Sequence, residues 1–412
     1  MNEKIYDVIV IGGGASGMIA AGRAAELGKK VLLLEKNKGL GKKLLITGGG
    51  RCNITNAEFD TRSLIEKYNK KGQFLFSAFS RFGVQDTFNF FESRGLQLKV
   101  EAEKRAFPIT DRARSVYEVL YSYLEKNNVE IRYEAEIYDF DIKSNKIECI
   151  NLKKGKIKAK SYIIATGGKS RPETGSTGDG FVWLSKMGHK IIEPNAALVP
   201  IKIKDEWVKE LQGSSLVEVR ISVFQNDEEQ DSQIGKLLFT HFGISGPLAL
   251  NMSQDIQEIF KYGSVTLCLD LFPNLQPQDL DKKLQEIWQI EQNKKFKNSL
   301  GKLVTPKLAP IIARLSGIDP EIYVNKISRE SRLRLIKLVK SMKMEVSGFL
   351  DENKAITTSG GISLDEVDFK TMQSKLISNL YLAGDILDFD RPSGGFSLQI
   401  CWTTGYLAGE NA

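Results

Sequence analysis

Residues 6–17 read YDVIVIGGGASG, and the remainder of the chain is organised around them. Val8–Ile11 is an apolar, β-branched run that is typical of a strand buried on both faces. Ala15–Leu27 suits a helix that ends at Gly28. The sequence therefore predicts a strand and a helix joined by a glycine-rich turn.

This turn has the properties of a phosphate cradle. Gly12 permits a tight turn, Gly14 lets the backbone approach a pyrophosphate, and Gly17 lets the helix lie close to the sheet. Free N–H groups and the positive end of the helix dipole stabilise an anion there without a lysine. We assign the cradle to Gly12, Gly13, Gly14, Ala15, Ser16 and Gly17.

An acid follows at the spacing that a dinucleotide unit requires. Val31–Leu34 predicts a second strand, and Glu35 at its end is placed to accept hydrogen bonds from ribose hydroxyls. A glycine-rich turn that binds nothing is the alternative, but strand, helix, strand and acid all occur within about 30 residues. This unit alone does not show whether the bound dinucleotide is NAD or FAD.

Composition and length describe an ordinary globular protein. With 412 residues, 42% hydrophobic and 26% charged, the chain has room for two or three domains. The four cysteines are scattered and form no C-x-x-C pair, so we expect no metal site and no dithiol centre. Neither a signal sequence nor an apolar run of membrane-spanning length is visible, so we expect a cytoplasmic protein.

The positive charge is concentrated in residues 294–343, which hold 13 Lys or Arg against Asp319, Glu321 and Glu330. Helical spacing of these cations is typical of a solvated helix face. A nucleic-acid surface is the alternative, but few aromatic residues are interleaved to stack on bases. We therefore do not expect nucleic acid as a partner.

A glycine-rich, basic loop follows Glu35. Its glycines permit close backbone approach, and its cations and amide can neutralise or bind phosphate. We expect the cofactor-binding residues of this loop to be Lys36, Lys43, Leu44, Thr47, Gly48, Gly49, Arg51, Cys52 and Asn53.

The next segment, Phe59 to about Asn128, predicts helices interrupted at Phe107-Pro108. Strands are predicted at Ile131–Asp141, Lys146–Leu152 and Ala159–Ala165, the last leading into a tight turn that would line a ligand crevice. The loop Gly175–Gly180 is interpreted as a cover over the same ligand. From this region we assign Ile137, Thr166, Gly167 and Gly168 to the cofactor site.

The end of the chain supplies a second helix N-terminus. Asn379–Asp385 predicts a short strand ending in an acid, and a Gly-Gly pair opens a helix that runs to about Gly409. If the ligand were NAD, this strand and helix would have no part of the ligand to bind. With FAD, Asp385 would bind ribityl hydroxyls and the helix N-terminus would stabilise a reduced flavin ring. FAD is therefore favoured, with Asp385, Gly394, Gly395, Phe396, Ser397 and Leu398 as binding residues.

Several loops together carry a family resemblance. They are Gly12–Gly17, Leu44–Asn53, Thr240–Pro247, Thr358–Gly361 and Gly394–Phe396. In these loops the chain resembles the bacterial NAD(P)/FAD-dependent oxidoreductases related to aminoacetone oxidase and the bile-acid-pathway flavoreductase. It departs from the family at Asp390-Arg391-Pro392, where relatives have Asp-Gly, and at Ser397, where they have Asn.

The resemblance implies an α/β fold: a discontinuous Rossmann-like FAD-binding domain, an inserted β-barrel-like domain over the flavin and a small helical insertion. It also implies non-covalent FAD. The expected boundaries are 1–193 and 358–412 for the FAD-binding domain, 194–275 and 341–357 for the β-rich substrate domain, and 276–340 for the basic helical insertion.

The expected function is hydride transfer between FAD and a small organic substrate, with NAD(P)H or O2 as the other redox partner. Only one G-x-G-x-x-G has its acid in place, so we expect any nicotinamide to share the flavin face with the substrate. His241 and Arg391 are the catalytic candidates, the first for proton transfer and the second for orienting an anionic substrate. A nucleic-acid-binding flavoprotein and a flavin sensor without turnover are the alternatives, and the oligomeric state is left open.

Overall fold

A computed structural model describes residues 5–153, 155–350 and 357–412. The strands in these ranges are β1 (Ile5–Ile11), β2 (Val31–Leu34), β3 (Thr55–Asn56), β4 (Leu98–Val100), β5 (Arg105–Pro108), β6 (Glu130–Arg132), β7 (Ile137–Lys143), β8 (Lys146–Leu152), β9 (Gly155–Ile164), β10 (Ile191–Ala197), β11 (Ile201–Ile203), β12 (Ser215–Gln225), β13 (Glu228–Thr240), β14 (Gly243–Ser245), β15 (Thr266–Asp270), β16 (Met342–Phe349), β17 (Thr357–Ile362), β18 (Val367–Asp368), β19 (Gln373–Ser374) and β20 (Leu380–Leu382).

The α-helices are α1 (Ala15–Glu26), α2 (Lys42–Ile46), α3 (Thr61–Glu66), α4 (Phe76–Arg81), α5 (Val84–Glu92), α6 (Ala113–Lys126), α7 (Asp179–Lys186), α8 (Glu206–Glu210), α9 (Gly246–Phe260), α10 (Pro277–Ile290), α11 (Phe296–Ser299), α12 (Ala309–Leu315), α13 (Arg329–Lys340) and α14 (Phe396–Asn411). The chain divides into two compact units, Met1–Ala197 with Glu352–Ala412, and Leu198–Asp351.

The first unit is built on a sheet of order β18-β19-β20-β9-β1-β2-β6. Strands β20, β9, β1, β2 and β6 run parallel. β1 and β2 are almost wholly buried, because helices cover a parallel sheet on both faces. The buried, β-branched character of Val8–Ile11 therefore reflects a central strand.

The strand register places several chain segments side by side. Leu382 pairs with Ile164, Ile164 with Ile11, and Ile11 with Leu34. Each of these residues is followed by a loop that the sequence assigns to the ligand: Ala383–Asp385, Ala165–Gly168, Gly12–Gly14 and Glu35. Because the carboxyl ends of parallel strands meet at one edge of a sheet, residues from both ends of the chain line one crevice.

The first and last long helices pack tightly against each other. A Cβ on Gly405 would collide with the carbonyl oxygen of Ser16, and one on Gly409 would collide with that of Ala20. These glycines let α14 approach the backbone of α1. An Arg23–Glu410 ion pair of 2.7 Å links the two helices as well.

The second unit contains a closed antiparallel barrel of order β11-β14-β13-β12-β15-β16. Its interior residues, such as Ile221, Leu237 and Leu267, are fully buried. Helices α10–α13 lie in the chain between β15 and β16 and share the apolar core of this unit. The predicted fold class, a Rossmann-like FAD domain with a β-barrel-like insert and a helical insertion, is confirmed.

The structure corrects the prediction for Phe59 to about Asn128. Helices α3 to α6 are present, but a three-stranded sheet of order β3-β5-β4 lies among them. Ala106 of β5 pairs with Thr55 of β3, which is 51 positions earlier. A short strand held by such a distant partner carries no helical or alternating period of its own that would reveal it.

Candidate functional site

The first cradle has the geometry that its glycines predict. Gly12 has φ +103°, and a Cβ there would lie 2.5 Å from the carbonyl oxygen of Ala165. A Cβ on Gly17 would collide with the carbonyl oxygen of Gly12. By contrast, a Cβ on Gly14 would have no heavy atom of the described residues within 4 Å. The turn is closed on its protein side and open beside Gly14.

Helix α1 begins at this open side without a side-chain cap. Gly14 is the N-cap residue and offers no side chain to accept from the first N–H groups of the helix. Those donors and the positive dipole end are therefore directed at the open space. The arrangement fits a bound phosphate.

Glu35 is buried beside the cradle and held in a fixed orientation. Its carboxylate accepts hydrogen bonds of 2.8 Å from the N–H of Gly13 and from the N–H of Asn37. The N–H of Gly13 thus orients the acid, whereas the open space lies at Gly14. Oε1 also accepts from the side-chain amide of Asn37 at 2.7 Å, whereas Oε2 keeps acceptor capacity that suits a ribose hydroxyl.

The loop after α2 brings Thr47, Gly48 and Asn53 together. Gly48 has φ +55°, and a Cβ there would lie 2.9 Å from the backbone nitrogen of Asn53. The side-chain oxygen of Asn53 is buried and has no hydrogen-bond partner in the parts of the chain that are described. A buried acceptor without a donor indicates that something else binds there.

Other members of this loop have structural surroundings. Leu44 is 3% exposed and belongs to the core, and Cys52 is fully buried. Burial raises the pKa of the Cys52 thiol to about 12, so the thiol stays protonated at neutral pH.

Arg51 has carboxylate partners of its own. Its guanidinium donates to Asp111 at 2.9 Å and to Glu101 at 3.2 Å, and it lies 4.1 Å over the Phe107 ring. Hydrogen bonds to these carboxylates raise the pKa of Arg51. Two carboxylates therefore offset the charge that we expect to bind phosphate in this loop.

The loops that follow β9 fold over the Glu35 segment. Lys36 forms a 2.8 Å ion pair with Asp179, and a Cβ on Gly175 would collide with the amide of Asn37. The Thr166 hydroxyl oxygen is buried and lacks a partner within the described ranges. Gly167 has φ +76° and Gly168 is buried, so both complete the tight turn.

Asp385 follows β20 and lies in a charged cluster. Its carboxylate is 3.6 Å from Lys43 Nζ and 3.4 Å from Arg391 Nε, and Lys43 also donates to Ser170 Oγ at 2.7 Å. Burial alone would raise the pKa of Asp385, but the Arg391 guanidinium and then the Lys43 ammonium lower it below the ordinary value. The neighbouring Gly384 packs against the Ser16 hydroxyl of the cradle.

Arg391, which we expect to orient an anionic substrate, lies beside Asp385. Its side chain is fully buried and pairs with Asp385. A guanidinium taken out of water needs a carboxylate beside it, and Asp385 supplies one. In this structure Arg391 therefore contacts the cofactor-binding loop itself.

The second helix N-terminus also has the predicted form. Gly395 caps α14 with φ +102° and no side-chain hydrogen bond, and a Cβ on Gly395 would collide with Thr55 of β3. Tyr68 donates its hydroxyl to the carbonyl of Phe396 at 2.9 Å and packs edge-on against the Phe396 ring. Ser397 and Leu398 are half-buried in the first turn.

Two assigned residues belong to other elements. Ile137 begins β7 and packs against the core of the first unit. His241 is exposed in the second unit, in the two-residue loop between β13 and β14, where its ring lies 4.9 Å from that of Phe242.

The other histidine, His189, has a structural position that the sequence did not indicate. Its ring nitrogens lie 2.9 Å from Glu366 and 3.0 Å from Ser374 Oγ, and the side chain is fully buried. Burial lowers its pKa, although Glu366 opposes this shift.

The residues of the first unit fit FAD. They provide two uncapped helix starts, at Gly14 and Gly395, and two buried acceptors that have no hydrogen-bond partner in the described residues, on Asn53 and Thr166. Glu35 and Asp385 add one carboxylate for each sugar-like part of the cofactor. No helix in the described ranges combines the length and apolar character that a bilayer crossing requires.

Comparison with known proteins is consistent with this site. The family model described as "HI0933-like protein Rossmann domain" matches residues 6–411. A "Ribosomal RNA dihydrouridine synthase" of Escherichia coli is 27% identical over 406 residues, which is 98% of each chain. A "3-dehydro-bile acid delta(4,6)-reductase" of Clostridium scindens is 28% identical, again over 98% of each chain.

A solved structure shows the same fold at low identity. The 3-ketosteroid delta1-dehydrogenase of Sterolibacterium denitrificans superposes with a TM-score of 0.57 at 14% identity, covering 98% of each chain. The predicted family, cofactor and enzyme class are confirmed. The chain belongs to the HI0933-like family of FAD-dependent oxidoreductases.

Proposed function

We propose that the protein reduces a carbon–carbon double bond that is conjugated to a carbonyl group. The names of both relatives describe such a change: a uracil ring becomes a dihydrouracil ring, and an unsaturated 3-keto bile acid is reduced. The two substrates share this bond although they differ in size and charge. The shared chemistry is therefore the strongest basis for a proposal.

The structural observation that supports FAD as the hydride carrier in this proposal is the pair of uncapped helix starts in one compact unit. Gly14 and Gly395 each present free N–H groups where no described side chain accepts from them. When bound, FAD supplies two-electron hydride chemistry. The chain's own residues then have to orient the cofactor, bind the substrate and move one proton.

Glu35 and Asp385 are the residues that we expect to orient the cofactor. Glu35 is fixed by two backbone N–H groups, and Asp385 by Arg391 and Lys43. Both stay available as hydrogen-bond acceptors for hydroxyl groups. Asn53 and Thr166 would satisfy their buried oxygens with donors of the cofactor.

His241 is our candidate for the proton. Reduction of a conjugated double bond adds a hydride to the carbon β to the carbonyl and a proton to the α carbon. His241 is exposed at the barrel hairpin, and an imidazole nitrogen can pass a proton to a substrate carbon. We propose that the second unit, Leu198–Asp351, recognises the substrate and that NADH or NADPH reduces the oxidised flavin again, whereas O2 would only compete with the substrate for its electrons.

An RNA uridine is the second candidate substrate, because of the charge on the helical insertion. Of the thirteen cations in residues 294–343, seven pair with carboxylates, for example Arg332 with Asp281 at 2.7 Å. The other six have no carboxylate within 4.0 Å among the described residues. They are Lys302, Lys307, Lys326, Arg329, Lys337 and Lys343. Cations without a carboxylate partner attract a polyanion such as RNA.

The test is reoxidation of the reduced holoprotein under anaerobic conditions. The flavin is first reduced by light, and then a cyclic enone, a 3-keto-4-ene steroid, a uridine-containing RNA or an unconjugated alkene is added. We expect one conjugated acceptor to restore the oxidised spectrum and to gain two hydrogens by mass, whereas the unconjugated alkene stays inert. If RNA is that acceptor, the rate at which it reoxidises the flavin will fall steeply with added salt.

A flavin that no conjugated acceptor reoxidises would contradict the proposal. If O2 reoxidises the flavin but no conjugated acceptor does, the proposed bond is wrong. His241→Gln should slow reoxidation by the accepted substrate at least about tenfold, because it removes the proton donor. Gln230→Ala, on the exposed part of β13, is the control and should change nothing.

A further inference from the structure

We propose that Arg391 is a positioning residue for FAD: its buried guanidinium holds the Asp385 carboxylate in place for the ribityl chain and offsets the negative charge of the loop before α14. This inference depends on the cofactor and is independent of the substrate proposed above.

The geometry of Arg391 suits a positioning role. Its guanidinium donates to the carbonyl of Leu387 at 2.5 Å, and its Nε lies 3.4 Å from Asp385 Oδ1. A guanidinium is a planar group whose donors have fixed directions. Anchored on Leu387, it restricts where the neighbouring carboxylate can lie.

The charge of the surrounding loop supports the second part of the proposal. Lys71 pairs with Asp388 at 2.7 Å and with Asp390 at 3.2 Å, while Lys43 reaches Asp385 at 3.6 Å. Three carboxylates thus face Lys71, Lys43 and Arg391. Without Arg391 this loop would carry one excess negative charge.

That excess charge would lie where the cofactor brings negative charge of its own. The loop leads directly into Gly395, the uncapped start of α14. Donors at a helix start stabilise an anion, and a nearby carboxylate of the same sign opposes it. Arg391 therefore favours the reduced, more negative state of the cofactor over the oxidised state.

The protonation of the cluster is consistent with this role. Arg391 is the strongest of the neighbours that lower the pKa of Asp385 against the effect of burial. Burial raises the pKa of Asp388, although Lys71 opposes this. Asp385 thus remains an ionised acceptor for hydroxyl groups, which the cofactor's ribityl chain provides.

The test compares Arg391→Gln and Arg391→Lys with Arg114→Gln as the control. Arg114 lies on the surface of α6 and pairs with Glu118 at 3.0 Å. The dissociation constant of FAD is measured by titrating the apoprotein, and the midpoint potential by equilibration with a reference dye. Both readouts are independent of turnover.

We expect Arg391→Gln to raise the FAD dissociation constant at least about tenfold, because Asp385 loses its partner. We also expect reduced FAD to lose about tenfold more affinity than oxidised FAD, which lowers the midpoint potential by about 30 mV for a two-electron couple. Arg391→Lys keeps the charge but not the planar group, so the potential should stay near the wild-type value while affinity falls. Arg114→Gln should change neither quantity.

Two results would overturn the proposal. A folded Arg391→Gln protein with wild-type affinity and potential would do so. So would additive losses of affinity in Arg391→Gln and Asp385→Asn, since a residue acting through another must be coupled to it. If Arg391→Gln fails to fold, Arg391→Lys decides: unchanged FAD affinity in that variant contradicts the positioning role.

Discussion

At the scale of single residues, the three cradle glycines separate the needs of the fold from those of the ligand. A side chain at Gly12 would press on Ala165, and one at Gly17 would collide with Gly12 itself. Gly14 has φ −81° and open space around it. The fold leaves room for a side chain at Gly14, so we expect that the small size of Gly14 serves a bound phosphate and not the packing.

Gly14→Val is therefore expected to fold normally and to lose FAD. Its branched side chain would occupy the open space at the start of α1, where the pyrophosphate has to approach. FAD content after purification and the thermal unfolding midpoint of the apoprotein are the two measurements. Gly301→Val, also in open space but in the second unit, is the matched control.

A Gly14→Val protein that retained one FAD per chain would show that the cradle is not the phosphate site. Loss of FAD together with a large drop in apoprotein stability would instead mean that Gly14 supports the fold. The control variant should keep both its cofactor and its stability.

The surroundings of a residue could be predicted where its partners are local and not where they are distant. The turn at Gly12–Gly17 and the acid at Glu35 follow from a short, continuous pattern. The carboxylate partners of Arg51 could not be predicted, because Glu101 and Asp111 lie 50 and 60 positions away. Nothing near Arg51 in the sequence indicates that its charge is already neutralised.

At the scale of elements, helix α14 is held by a buried polar network. Gln399 is fully buried and accepts hydroxyl hydrogen bonds from Thr55 at 2.6 Å and from Thr87 at 3.0 Å. Its amide donates to Thr403, which in turn donates to the carbonyl of Phe82. The network fixes the first turns of α14 against β3 and α5.

Gln399→Leu should lower the free energy of unfolding by about 1–3 kcal/mol. The substitution keeps the approximate shape but removes the oxygen that accepts from Thr55 and Thr87. These buried hydroxyls then have only the longer contacts to the carbonyls of Asn56, at 3.3 Å, and Gly83, at 3.1 Å. Denaturant unfolding of the apoprotein measures the change. Gln85→Leu, on the exposed face of α5, should stay within about 0.5 kcal/mol of the wild type.

An unchanged unfolding free energy in Gln399→Leu would show that the network contributes nothing to stability. FAD affinity should fall in the same variant, because Gly395 at the start of α14 loses its fixed position against Thr55.

Elements marked by a local pattern were predictable, and those held by non-local pairing were not. The Gly-Gly pair predicted the opening of a last helix that runs to about Gly409, and α14 spans Phe396–Asn411. The predicted helical run from Phe59 contains β4 and β5, which have three and four residues. Strands this short are defined by their hydrogen-bond partners and not by their own composition.

At the scale of the whole molecule, topology explains why one site draws on both ends of the chain. Four neighbouring parallel strands end side by side, at Leu382, Ile164, Ile11 and Leu34. The site residues that follow these strand ends are, in the same order, Asp385, Thr166, Gly14 and Glu35. The inserted unit, Leu198–Asp351, interrupts this sheet in sequence without taking part in it. The discontinuous arrangement followed from the family resemblance, since no local pattern links Gly14 to Asp385.

Identification of the bound cofactor is the most direct test of this account, because every role assigned above depends on FAD at the sheet edge. The wild-type protein is purified, its absorbance spectrum is recorded, and the cofactor released by denaturation is identified by chromatography and mass. We predict a yellow protein that releases FAD, with one FAD bound per chain after reconstitution. Release of FMN or NAD, or failure to bind FAD on reconstitution, would contradict the account.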